Sequence, residues 1–193
     1  MRRVCVFCGS NPGIRPEYAD AARGLAAALV ARGLELVYGG GNVGLMGIVA
    51  DAVMTAGGTV TGIIPEALMR MEAGHRDVSR LHVVGSMHER KAMMAEMSDA
   101  FIALPGGIGT LEEVFEVWTW GQLGLHAKPA GFLDVGGFYR HLHAFLDHMT
   151  AEGFLKQRHR DMVTLSSDPM VLLDGFADYT PPQVVKVIAK ETA

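Results

Sequence analysis

Seven short runs of β-branched, aromatic and small apolar residues, each separated from the next by a stretch with helical character, constrain this chain more than any other feature. The runs are Arg3–Cys8, Glu35–Tyr38, Thr59–Ile64, His82–Val84, Ala100–Leu104, Ala130–Asp134 and Met162–Leu165. Several are almost continuously apolar, as a parallel strand covered on both faces must be. The alternation predicts an α/β fold: a Rossmann-like, doubly wound parallel sheet with helices on both faces. Helices are predicted over Glu17–Arg32, Leu45–Thr55, Met87–Met97, Leu111–Leu125, Tyr139–Glu152 and Pro169–Phe176. The first has Pro16 at its start and Gly33 just beyond its end, the residues that favour a helix start and stop. No repeat, low-complexity tract or linker interrupts the 193 residues, so one domain is expected over 1–193.

Charge narrows the partners. A formal net charge of −4 lacks the basic footprint of a protein that works on nucleic acid or anionic lipid. No stretch approaches the roughly 18 consecutive apolar residues of a membrane span. The basic and apolar amino terminus is too short a run for a signal peptide and reads as the first strand. A soluble, cytoplasmic protein with a small-molecule partner is expected. The two cysteines, Cys5 and Cys8, are three apart on a strand and so point to opposite faces, which disfavours a disulfide or shared metal ligation. His141, His143, His148 and His159 crowd one region but match no zinc spacing, and no metal site is expected.

Three glycine-rich loops follow predicted strands: Gly9-Ser10-Asn11-Pro12-Gly13, Gly39-Gly40-Gly41-Asn42-Val43-Gly44 and Pro105-Gly106-Gly107-Ile108-Gly109-Thr110. Glycine lets the backbone approach an anion, and the helix that follows aims free N–H groups and its positive dipole end at it. In a doubly wound sheet all three loops lie at the carboxyl edge, where ligands bind. Gly39-x-Gly41-x-x-Gly44, with Glu66 about twenty residues on, also satisfies the dinucleotide fingerprint, so an NAD-dependent oxidoreductase is one candidate. It stands in the second βα turn rather than the first, and no pair of residues is obviously suited to hydride transfer.

The third loop runs into Leu111-Glu112-Glu113. Thr110-x-x-Glu113 is a capping-box pattern, in which Glu113 would only satisfy helix N–H groups. Adjacent helical residues diverge by about 100°, so Glu112 and Glu113 cannot share one task, and one is available for chemistry. Glu116 lies one turn beyond Glu113. Upstream, Ser86-Met87-His88-Glu89-Arg90-Lys91 opens a helix at the same sheet edge. It is either a solvated charged face or a source of phosphate-binding cations. The methionines at 87, 93, 94 and 97 read as core or subunit interface.

At these residues the chain resembles the Lonely Guy family of cytokinin riboside 5′-monophosphate phosphoribohydrolases, with its Pro-Gly-Gly-x-Gly-Thr-x-x-Glu signature. Further matching blocks are Phe7–Ser10, Leu36–Gly41, Val43–Gly47, Met87-His88-x-Arg90-Lys91 and Thr119-Trp120-x-Gln122-Leu123-Gly124. The resemblance implies hydrolysis of the N-glycosidic bond of an N6-substituted AMP, or of AMP itself, to free base and ribose 5-phosphate without a cofactor. It implies Arg90 and Glu113 as the catalytic pair. Nucleotide contacts are implied at Glu72, Lys91, Gly107, Ile108, Gly109, Thr110, Glu112 and Thr119, with Gly9, Ser10, Gly40 and Gly41 from the other two loops. Asn11 and Asn42 stand where relatives often carry small hydroxyl residues, and Ile108 where an aromatic or small residue is common. A homodimer or larger homo-oligomer is implied, with Trp118 and Trp120 on apolar helices as candidates for a self-associating face. A nucleotide-binding module without catalysis is the remaining alternative. Family members have also been labelled lysine decarboxylases, a chemistry that needs pyridoxal phosphate on a lysine; of the five lysines only Lys91 falls near the expected site.

Overall fold

The computed structural model describes residues 1–71 and 74–182. Each of the seven runs becomes a strand: β1 (Arg3–Phe7), β2 (Glu35–Tyr38), β3 (Val60–Pro65), β4 (Arg80–Val84), β5 (Ala100–Ala103), β6 (Ala130–Leu133) and β7 (Val163–Ser166). The helices are α1 (Pro16–Ala31), α2 (Gly44–Thr55), α3 (Glu66–Met71), α4 (Met87–Met97), α5 (Ile108–Gln122), α6 (Arg140–Ala151), α7 (Gln157–Arg160) and α8 (Pro169–Ala177). The short α3 and α7 were not expected. Six and four residues hold too little apolar periodicity to register, and each carries a side-chain pair. Glu66 pairs with Arg70 one turn on in α3, and the buried Arg160 of α7 donates to Asp147 of α6 at 2.8 Å.

All strand pairings are parallel, in the order β4-β3-β2-β1-β5-β6-β7. The chain builds outward from β1 to β4, then α4 carries it back across the sheet to β5 on the other side of β1. The order therefore reverses between β1 and β5, the place where a doubly wound sheet carries its ligand crevice. Successive side chains of β1, and of Cys8 just beyond it, serve opposite faces: Val4, Val6 and Cys8 pack with α1, α2 and α8, whereas Cys5 and Phe7 pack with α4, α5 and α6. That separates the two cysteines, both of which are free and buried.

Hydrogen bonds tie the crevice walls together. Gly9 N donates to Pro105 O at 3.1 Å, and Leu45 N donates to Gly9 O at 3.0 Å, joining the loops after β5, β1 and β2. Below them the fully buried Tyr139 donates its hydroxyl to Leu104 O at 2.6 Å, fixing the carboxyl end of β5. Among the described residues no helix is long and apolar enough to cross a membrane, and no group of three or more His, Cys, Asp or Glu side chains could hold a metal ion.

Candidate active site

The loop after β5 does not end as its sequence suggested. The helix begins three residues earlier than expected, at Ile108, with Gly107 as N-cap and no side-chain cap. Thr110 is thus inside the first turn and buried, packed under Gly106, where an added Cβ would stand 2.1 Å from Thr110 Oγ1. The capping-box reading of Thr110 and Glu113 is therefore wrong. Ile108, Gly109 and Thr110 are first-turn residues, whose N–H groups have no intrahelical partner. The cap sits instead on α4: Ser86 Oγ accepts from Glu89 N at 3.1 Å, and Glu89 Oε2 accepts from Gly85 N at 2.8 Å.

Glu113, freed from capping, turns inward and is 9% exposed. Arg90 of α4, 7% exposed, approaches from the facing helix, its Nη2 3.5 Å from Glu113 Oε1. The charged-helix-face reading of this segment fails at Arg90, because α4 turns that side chain under the cleft. Room for the guanidinium comes from Gly39, where a Cβ would lie 1.9 Å from Arg90 Nη2. Arg90 Nη1 donates weakly to Met87 Sδ at 3.6 Å, and its buried Nε has no partner among the described residues. Burial raises the Glu113 carboxyl above its ordinary range, Arg90 opposes that rise, and Glu112 adds to it.

A cleft of about 330 Å³ opens above this pair. Its rim holds Gly9, Ser10 and Gly107 to Thr110, and its wall holds Arg90, Glu112 and Glu113. Nine of the residues singled out from sequence thus converge. Four others do not line it: Gly40 and Gly41 are buried beneath, Lys91 is engaged elsewhere, and Thr119 is exposed on α5, about 10 Å along the helix from Glu112. Glu72 lies outside the described residues. Cys8, Met46, Leu68 and Met87 line the cleft without having been singled out as site residues. Cys8, Met46 and Met87 stand inside the matching blocks, a signal that points to the residues but not to their role.

Lys91 reaches across to α5, where its Nζ bonds Glu112 and stands 3.0 Å from Glu116 Oε2, and its side chain is 10% exposed. The Glu112 bond, against some cost of burial, holds the ammonium above the usual lysine range.

The dinucleotide fingerprint dissolves on inspection. Gly40 has φ +75° and lies against Ile63 and Ile64, and Gly44 has φ +59° with Ser10 so near that a Cβ would fall 2.3 Å from its carbonyl carbon. These glycines serve the chain's own packing. Glu66, the acidic residue of that pattern, opens α3 and pairs with Arg70.

Fold and cleft together define an α/β protein with a glycine-rimmed cleft over a buried Arg–Glu pair. Residues 46–176 match a family model described as "Possible lysine decarboxylase". A protein of Oryza sativa subsp. japonica named as a probable cytokinin riboside 5′-monophosphate phosphoribohydrolase is 54% identical, covering 94% of this chain and 80% of its own length. A cytokinin riboside 5′-monophosphate phosphoribohydrolase of Arabidopsis thaliana is 49% identical, covering 94% and 84%. The chain belongs to this family of cytokinin riboside 5′-monophosphate phosphoribohydrolases, the Lonely Guy family. The fold is also that of a molybdenum cofactor binding protein from Rippkaea orientalis, at 22% identity, a TM-score of 0.69 and coverage of 92% of this chain and 96% of that one.

Proposed function

We propose that this protein hydrolyses the N-glycosidic bond of a nucleoside 5′-monophosphate, an N6-substituted AMP above all, releasing the free base and ribose 5-phosphate. The observation that carries the reading is the buried Arg90–Glu113 pair at the floor of a cleft whose rim is an uncapped helix start. The 5′-phosphate sits on the N–H groups of Ile108, Gly109 and Thr110, where the helix dipole favours negative charge. The ribose then reaches inward toward Glu113. Breaking the bond from C1′ to the base builds positive charge on the sugar, which the Glu113 carboxylate stabilises at close range in a water-poor site. Glu113 takes a proton from the attacking water, whose oxygen bonds to C1′, and the departing purine nitrogen takes up a proton from solvent. Arg90 holds Glu113 in place and sets a fixed positive charge at the floor of the cleft. Met46, Leu68 and Met87 give the cleft an apolar wall for a hydrophobic N6 substituent.

Decarboxylation of lysine is disfavoured by the state of Lys91. A lysine that forms a Schiff base must lose its proton easily, and Lys91 is held protonated between two carboxylates. A homo-oligomer in the cytoplasm is part of the same proposal. Trp118, expected on that face, is instead buried in the core with its Nε1–H donated to His159 O, so Trp120 with the exposed Leu123 and Leu125 supplies the apolar surface for self-association.

The test incubates the protein with isopentenyladenosine monophosphate, AMP and both nucleosides and follows free base by chromatography. Base should appear from monophosphates, and Glu113→Gln should lower turnover roughly 10²- to 10⁴-fold. Nucleotide binding with no base released would leave only a binding module.

A further inference from the structure

The resemblance placed Lys91 and Glu112 on the nucleotide, but the structure pairs them with each other. Lys91 projects from α4 directly after Arg90 and meets Glu112 and Glu116 on the next helix. Those two carboxylates are one turn apart on a shared face, where like charges repel, and Glu116 is also a helical neighbour of Glu113. Left alone, three carboxylates within five positions of one helix would oppose the ionisation of the most buried of them. One ammonium placed among them removes much of that opposition without entering the cleft, since Lys91 does not line it.

We infer that Lys91 is a positioning residue: it neutralises Glu112 and Glu116 and ties them to α4, so that Glu113 beside them can carry its negative charge opposite Arg90. The inference rests on the hydrolase reading and assigns a residue of that site a part other than substrate contact. The charged and titratable groups around Glu113 are Arg90 and Lys91 from α4, Glu112 and Glu116 from its own helix, and the thiols of Cys5 in β1 and Cys8 just after it. The buried thiols are themselves held neutral, both raised well above the usual cysteine range. The charge balance at Glu113 is therefore set by two cations and two carboxylates, and Lys91 is the cation that does not face it directly.

The experiment follows kcat against pH with saturating isopentenyladenosine monophosphate. Glu113 must be ionised to work, so raising its pKa moves the acid limb to higher pH. Lys91→Met should move that limb upward by on the order of one pH unit, the size expected for loss of a nearby opposite charge. KM well above the limb should change by less than about threefold, and Lys91→Arg should restore the wild-type limb. Adding Glu112→Gln and Glu116→Gln to Lys91→Met should bring the limb back down. A Lys91 that held the phosphate would instead raise KM tenfold or more, and neutralising the two carboxylates would not reverse the change. Either result overturns the inference while leaving wild-type hydrolysis intact. If Lys91→Met does not fold, Glu112→Gln/Glu116→Gln alone serves: with Lys91 unopposed the limb should drop, and an unmoved limb overturns the inference. Absence of hydrolysis by the wild-type protein would remove the underlying reading instead.

Discussion

The loops after β2 and β5 are both rich in glycine and both run into a helix, yet their glycines are used in opposite ways. In the β2 loop each of Gly39, Gly40 and Gly44 is surrounded by protein: Gly39 by the Arg90 guanidinium, Gly40 by Ile63 and Ile64, Gly44 by Ser10. In the β5 loop Gly107 and Gly109 have negative φ, and a Cβ on either would meet nothing within 4 Å. The first loop needs glycine in order to fold around its neighbours. The second needs glycine for packing at Gly106, over Thr110, but at Gly107 and Gly109, on the rim of the cleft, the folded chain makes no such demand and the absent side chains leave open space. The same residue type in similar spacing therefore marks packed scaffold in one place and open cleft rim in the other.

Alanine substitutions break or sharpen this contrast. The largest effect is expected at Gly39→Ala, since the new methyl group occupies the place of Arg90 Nη2. The guanidinium must move by an ångström or more, and kcat should fall on the order of 10²-fold with the fold retained, as read by steady-state kinetics beside circular dichroism. Gly44→Ala combines a positive φ with a clash against Ser10 backbone. It should cost about 1–3 kcal/mol of stability, seen as a lower Tm and denaturation midpoint. Gly109→Ala has the smallest expected effect and the most informative sign. It removes a glycine from the first turn of α5 with no steric conflict, so stability should hold or rise by up to about 1 kcal/mol. Binding of a monophosphate should meanwhile weaken about tenfold, or roughly 1.4 kcal/mol. A loss of stability at Gly109 equal to that at Gly44 would erase the distinction between the loops.

Most of the fold was readable because strand burial and helix periodicity are local properties: each of the seven runs forms a strand, with ends displaced by no more than two residues. The division of labour between Glu112 and Glu113 was likewise readable from helical angle alone. Which of the two turned inward was not, because that depended on where α5 begins, and Gly107-Ile108-Gly109 starts the helix a turn before the threonine that seemed to cap it. The pairing of Lys91 with Glu112 and Glu116 links residues more than twenty positions apart across two helices. The fit of Arg90 over Gly39 joins two different βα units. Neither leaves a trace in local spacing. Three successive glycines after β2 suggested an anion loop, whereas at Gly39 the neighbour is a side chain of the protein itself.

On the proposed mechanism, phosphate held at the α5 start drives cleavage of the glycosidic bond over Glu113. The most direct measurement is the ratio of kcat/KM for isopentenyladenosine monophosphate to that for isopentenyladenosine. Binding energy from the phosphate should be expressed at the reacting carbon, which predicts a ratio of about 10² or more. Equal cleavage of nucleotide and nucleoside would contradict it.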